Sequence, residues 1–260
     1  MNPITLGIVG YGEVGKTFAK GLQDKGGITG VCAWDLKFQA PALAEAERAH
    51  ADAHGVQPAR SMADLCERAT LVMSAVTASN TLAVAEEAAR HLRAGTVFLD
   101  LNSASPGTKQ QAARAIDGAG GRYVEAGVMT SVPPYGIAVP MLLGGEHAQT
   151  LAQTLTGWGM DARAVAAEIG VASAIKMCRS IMIKGMEALV IESYSTARRY
   201  GVESHVLPTL KETFPQIDGS APVRTSSAGW RSTASGAPRK CANRRAPCRR
   251  PAFRRSWPKP

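Results

Sequence analysis

Short apolar runs alternate with stretches in which apolar residues recur every three or four positions over the first 165 residues. Ile4–Val9, Ile28–Trp34, Leu71–Val76, Thr96–Leu101, Tyr123–Val128 and Ile137–Leu143 are near-continuous apolar runs that predict buried strands. Between them Val14, Phe18 and Leu22 repeat at intervals of four, and Pro41–His54 and Asn80–Leu92 read as helices. Another helix runs to about Asp117, with Ser105 placed to cap it and Pro106 at its first position. Short strands alternating with helices imply a parallel sheet covered on both faces. After about residue 166 the strand pattern stops. Gly170–Tyr200 predicts one long helix, with Ile175, Met182, Met186, Leu189 and Ile191 among its apolar positions, and Ser204–Phe214 a shorter one. The expected fold class is α/β: a doubly wound, mainly parallel sheet over 1–165, then an incomplete all-α domain over 166–214.

The pattern is lost again after Phe214. Residues 215–260 are rich in Arg, Pro, Ser and Ala, a composition that cannot bury enough surface to fold. Two readings stay open for this stretch: a disordered basic tail, or the product of a shifted reading frame. It also explains the net charge of +9, because residues 1–214 carry 19 basic and 20 acidic side chains and residues 215–260 carry 11 and one. A basic tail with neither a series of stacking aromatics nor a nucleic-acid module does not point to a nucleic-acid partner. No run of about 18 apolar residues occurs, so no membrane span is expected. The amino-terminal residues lack the basic segment of a signal peptide. The five cysteines are scattered and form no CxxC pair, which suits a reducing, cytoplasmic setting and no structural zinc. His50 and His54 have i,i+4 spacing but no carboxylate ligand beside them, so no metal site is expected.

The chemistry starts at Gly10-Tyr11-Gly12-Glu13-Val14-Gly15, a GxGxxG segment that follows a strand and opens a helix. Asp35 lies 20 residues past Gly15, at the end of the second strand. Together they form the Rossmann dinucleotide-binding context. Gly10 permits the tight turn, Gly12 lets the main chain approach a pyrophosphate, and Gly15 allows close packing of helix on strand. The helix N-terminus offers unpaired N–H groups and partial positive charge. Asp35 is suited to accept hydrogen bonds from ribose hydroxyls and to repel a 2′-phosphate, which favours NAD over NADP. Lys37 is either a partner for that phosphate or a solvated loop lysine, so NADP is not excluded. Val76 and Thr77 end a strand at the carboxyl edge of the sheet, where they either pack along the cofactor or close an ordinary strand.

Further motifs resemble the 3-hydroxyacid dehydrogenases, a family that includes 3-hydroxyisobutyrate and 6-phosphogluconate dehydrogenases. Asp100-Leu101-Asn102-Ser103-Ala104-Ser105-Pro106 is similar to the family's substrate-proximal segment, and Glu125–Ser131 falls where the family has Asp-Ala-Pro-Val-Ser-Gly-Gly. Gly170–Lys176 is similar to the segment that carries the family's catalytic lysine. Val128–Pro134 and Lys176–Ala188 look most like a 6-phosphogluconate-dehydrogenase-like branch. The chain departs from the family at Asn102 and Ser103, at Met129-Thr130-Ser131, and at Ser180, where the family usually has Asn.

The resemblance implies hydride transfer between a small hydroxy acid, oxidised at its 3-hydroxyl, and a nicotinamide, with Lys176 as general acid or base. Such a lysine needs burial near the cofactor to lower its pKa. Ser103, Thr130, Ser131 and Ser180 are candidate contacts to substrate oxygens, while Asn102 either orients nicotinamide or substrate or serves as a turn residue before Pro106. If the product is a β-keto acid, loss of CO2 follows; the sequence leaves that open. In the parent family the helical part also forms a homodimer. The alternative reading is a protein that binds NAD(P) without turnover, its helical domain being incomplete.

Overall fold

The computed structural model describes residues 3–213. The reading of the basic tail, and the end of the last predicted helix at Phe214, lie outside these residues. The elements run β1 (Ile4–Val9), α1 (Glu13–Leu22), β2 (Ile28–Trp34), α2 (Ala44–Ala53), β3 (Val56–Pro58), α3 (Met62–Arg68), β4 (Leu71–Ser74) and α4 (Thr81–Ala89). Then come β5 (Val97–Asp100), α5 (Pro106–Gly118), β6 (Arg122–Val128), β7 (Met141–Gly144), α6 (Ala148–Gly157), β8 (Ala162–Ala166), α7 (Val171–Tyr200) and α8 (Glu203–Thr213). All eight strands form one sheet in the order β3-β2-β1-β4-β5-β6-β7-β8. β1 to β6 pair in parallel, β7 is antiparallel to β6, and β8 is parallel to β7. This is the Rossmann-like fold expected, with two extra strands on one edge.

The central strands are buried on both faces. Leu6, Ile8, Val72, Met73, Leu99 and Val124 are all fully inaccessible. That is why they read as unbroken apolar runs with no alternation. At the carboxyl edge the register aligns Trp34, Val9, Ser74, Asp100 and Glu125 side by side across five strands. Neighbours in register point to one face of the sheet, so Ser74, Asp100 and Glu125 form a polar row inside the core, each 0% exposed. Polar side chains in such a place need partners, and those partners build the site described below.

The structure corrects one strand. Ile137–Leu143 reads as a strand, but Gly136–Ala138 is a single 3-10 turn and the strand spans Met141–Gly144. Pro140 has no N–H to give to a ladder, and Gly136 takes a left-handed φ of 57° that extended chain does not allow. The second helix begins at Ala44, where Pro41 had suggested an earlier start. At α5 the expected cap forms: the Thr108 N–H donates to Ser105 Oγ at 3.2 Å, and Pro106 opens the helix. We expect Ser105→Ala to cost about 1 kcal/mol, read as a lower melting temperature, because it removes an acceptor from an open helix end.

Candidate active site

The glycine loop is built by contact distances. Gly10 has a φ of +93°, and a Cβ there would lie 2.4 Å from the Ala75 carbonyl oxygen. A Cβ on Gly15 would lie 2.0 Å from the Gly10 carbonyl oxygen, so only glycine lets α1 close on the loop. Around Gly12 a Cβ would meet nothing within 4 Å, so a side chain would project into free space. Gly12 is the N-cap of α1 and offers no side-chain acceptor, which leaves the first amides of the helix for another anion.

A cleft of about 540 Å³ opens at the carboxyl ends of β1, β2 and β4. Of the residues singled out from sequence, Gly10, Gly12, Glu13, Val14, Asp35, Val76 and Thr77 line it. Gly15 and Asn102 are not among the residues that line it. Tyr11 is buried beneath the loop, its ring 5.6 Å from that of Phe38 and its hydroxyl 3.3 Å from His50 Nδ1. Burial, then the charges of Glu47 and Asp52, raise its phenol above the ordinary range. The Asp35 carboxylate accepts from the Tyr11 N–H at 2.7 Å and from the Lys37 N–H at 2.8 Å. It therefore clamps the glycine loop to the turn after β2 and still faces the cleft.

Asn102 joins this cleft to a second centre. Its Oδ1 accepts from the Val76 N–H at 2.7 Å, and its Nδ2 donates to Ser74 Oγ at 3.0 Å. With both ends of the amide engaged, Asn102 positions the turn after β4. The next residue, Ser103, is exposed, and its Oγ accepts from Lys176 Nζ at 2.6 Å. Two features set α7 so that this contact forms. Glu125 Oε1 accepts from the N–H groups of Gly170 at 2.6 Å and Ala172 at 3.1 Å, capping the helix. At Gly127 a Cβ would come within 2.9 Å of the Ala172 carbonyl oxygen, so the missing side chain lets α7 approach β6. Burial pushes the Lys176 amine down to about 8, and the positive charges of Lys109 and Lys184 push the same way.

Ser180 is half-buried one turn beyond Lys176. Thr130 and Ser131 are exposed on the loop after β6, which Arg179 ties to α7 through a 2.7 Å bond from Nη1 to the Met129 carbonyl. The geometry thus brings Lys176 and Ser103 together, and among the described residues Thr130, Ser131 and Ser180 make no hydrogen bond to that pair.

A buried network centres on Asp100, and sequence alone assigns no role to two of its members, Lys109 and Tyr123. Lys109 is 0% exposed. Its Nζ stands 2.9 Å from Asp100 Oδ1 and donates to the Asp100 carbonyl at 2.9 Å. Asp100 Oδ2 accepts from the Tyr123 hydroxyl at 2.6 Å, and Oδ1 accepts from the Asn102 N–H at 2.9 Å. Burial pushes the Lys109 amine down, and Asp100 and Glu125 push it back up. The signal lay in α5: Lys109 shares its face with the buried Ala112, Ala113 and Ile116, three, four and seven residues on.

Among the described residues no helix is long and apolar enough to cross a membrane. Residues 5–154 match the family described as the NAD-binding domain of 6-phosphogluconate dehydrogenase. A conserved hypothetical protein from Sinorhizobium meliloti 1021 is 43% identical, with 83% of this chain and 71% of that one covered and a TM-score of 0.71. A conserved protein of unknown function, whose structure is described as similar to 3-hydroxyacid dehydrogenases, is 30% identical (coverage 89% and 80%, TM-score 0.65). Two more distant structures share the fold. One is the 3-hydroxyisobutyrate dehydrogenase of Mycobacterium tuberculosis, solved with L-serine, at 20% identity (coverage 80% and 70%, TM-score 0.66). The other is an imine reductase variant from Myxococcus stipitatus, solved with NAD+, at 21% identity (coverage 83% and 74%, TM-score 0.68). The match covers more than half of the chain and includes the whole glycine loop, so the chain belongs to the 6-phosphogluconate dehydrogenase NAD-binding family and takes NAD or NADP as its cofactor.

Proposed function

We propose that the chain is an NAD(P)-dependent dehydrogenase acting on the hydroxyl of a small 3-hydroxy acid, with Lys176 as general acid and base. The observation that carries the reading is the 2.6 Å contact between Lys176 and Ser103, next in sequence to the Asn102 that braces the cleft wall. Residues 1–165 act as the cofactor domain, and 166–214 supply the lysine and part of the substrate pocket. The amides opening α1 hold the pyrophosphate, and Asp35 takes the adenosine ribose, favouring NAD. When bound, the nicotinamide supplies the hydride acceptor or donor.

The residues of the chain then manage the proton. In oxidation, neutral Lys176 accepts the hydroxyl proton while Ser103 Oγ keeps the amine aimed. In reduction, the charged ammonium returns that proton to the developing alkoxide. Ser103, Ser180 and the Thr130–Ser131 loop are proposed to bind substrate oxygens. A second copy of the chain is the proposed partner, meeting the exposed apolar residues of α7, among them Ile181, Met182, Met186 and Leu189.

The sign of the pH dependence follows from the amine near 8. Oxidation needs the unprotonated form, so its rate rises with pH and levels off above about 8, and the reduction rate falls over the same range. Lys176→Met should lower turnover on a panel of 3-hydroxy acids by about 100- to 10,000-fold, the usual contribution of a positioned acid or base. NADH affinity, measured by fluorescence titration, should stay within about two-fold, because the lysine is not among the residues lining the dinucleotide cleft. Undiminished turnover in that variant contradicts the assignment.

A further inference from the structure

Asp35 alone does not determine the electrostatics at its end of the cleft. Lys37 also lines the cleft there, and Lys16 follows Gly15 in the first turn of α1. A lysine on the Asp35 rim would ordinarily favour a phosphorylated ribose, and Lys16, which does not line the cleft, adds a second cation just past the glycine loop. Both instead face one carboxylate on α2. Lys16 Nζ is 2.7 Å from Glu47 Oε2, and Lys37 Nζ is 3.9 Å from Glu47 Oε1. Glu47 keeps only 18% of its side chain exposed, so the charges meet in a partly desolvated setting. The Lys16 ammonium beside it, opposed by burial and helped more weakly by the Lys37 charge, holds its carboxyl below the usual range, consistent with a carboxylate paired mainly with Lys16 and also facing Lys37. The rest of the corner is fixed. Asp35 holds the Lys37 main chain, and Arg48, one residue past Glu47, donates twice to the Phe38 carbonyl, at 3.1 and 3.0 Å.

We propose that Glu47 is a specificity-determining residue for the coenzyme: by engaging Lys16 and Lys37 it withholds both cations from a ribose 2′-phosphate, so the cleft selects the unphosphorylated dinucleotide. This rests on the reading of the Gly10–Gly15 cleft as the dinucleotide site with the ribose at Asp35. A bare 2′,3′-diol loses nothing by the arrangement, because it has hydroxyls to give to Asp35 and no charge to neutralise. A 2′-phosphate meets the Asp35 carboxylate with its counter-cations already paired.

The test is fluorescence titration of the full chain with NADH and NADPH. Glu47→Gln keeps the shape and removes the charge. It should tighten NADPH by about ten-fold, the scale of one charge acting on a phosphate across a half-exposed surface. NADH affinity should stay within two-fold. Adding Lys37→Gln to that variant should cancel most of the gain. If Glu47 merely pins α2 to α1, Glu47→Gln weakens both dinucleotides together and their ratio stays put, which overturns the proposal. Should Glu47→Gln fail to fold, Lys37→Gln in the native background decides. A paired Lys37 predicts less than a two-fold change in the NADPH-to-NADH ratio, and a ten-fold loss of NADPH affinity overturns the proposal. Absence of NADH binding to the native chain refutes the reading of the cleft itself, whereas NADH binding with an unmoved ratio refutes only the role of Glu47.

Discussion

Lys109→Met is expected to lower the stability of the fold by about 3–5 kcal/mol, read as a large drop in the denaturant midpoint. The reason is what it leaves behind. Asp100 is 0% exposed, and its only ion-pair partner among the described residues is the Lys109 ammonium at 2.9 Å. Methionine fills the volume but leaves a buried carboxylate with only the Tyr123 hydroxyl and the Asn102 N–H to stabilise it. Adding Asp100→Asn removes the stranded charge and should recover part of the loss, as expected when breaking a buried pair costs more than the pair contributes. The single variant has a second readout. Lys109 is one of the charges that lower the Lys176 amine, so without it the rise of oxidation rate with pH should move to higher pH.

Gly15→Ala is expected to weaken NADH binding by at least about 100-fold, since displacing the opening of α1 forfeits two or more charge-assisted amide contacts to phosphate. Its Cβ would sit 2.0 Å from the Gly10 carbonyl oxygen, so helix or loop must move. Fold stability should fall by only about 1–3 kcal/mol, the usual cost of overpacking. Comparing dinucleotide affinity with thermal melting separates the two effects. Gly12→Ala makes a useful contrast, because its Cβ meets no protein atom within 4 Å. It should cost at most about 1 kcal/mol, that of a poorer N-cap, and still lose affinity, the methyl group occupying space the dinucleotide needs.

Much of this architecture was legible because its physics is local. β1 and β2 are strands of a parallel sheet whose second halves, Leu6–Val9 and Val31–Trp34, are buried on both faces, and the predicted runs begin and end where the strands do. Ser105 and Pro106 mark the start of α5 by cap chemistry that needs no distant partner. Of the elements the pattern did not predict, the strands are short and lie at the sheet edges, and α3 has only seven residues. β3 is only Val56-Gln57-Pro58, beside β2 alone. β8 is built on three alanines, with alternating exposure on the outer edge. α6 has its apolar Leu151 and Leu155 one turn apart, but Gln and Thr residues between them blur the stripe.

The site divides the same way. Gly10, Gly15 and Asp35 stood out as candidates because they belong to one spaced motif, and Lys176 because its segment resembles the family's. The contact of Lys176 with Ser103 joins residues 73 apart in sequence, and the capping of α7 by Glu125 spans 45, so both depend on strand order and register. Lys109 was hidden by its type, since a lysine in a helix usually faces water. Glu47 belongs to no spaced motif. Its role appears only once α1, α2 and the turn after β2 converge on one corner.

The most direct test is a calorimetric titration of the folded full-length chain with NADH. A saturable heat at one dinucleotide per chain, lost in Gly15→Ala, is the outcome that follows from amides and glycines gripping a diphosphate. A flat trace with both NADH and NADPH, from protein that still melts cooperatively, would contradict the account at its root.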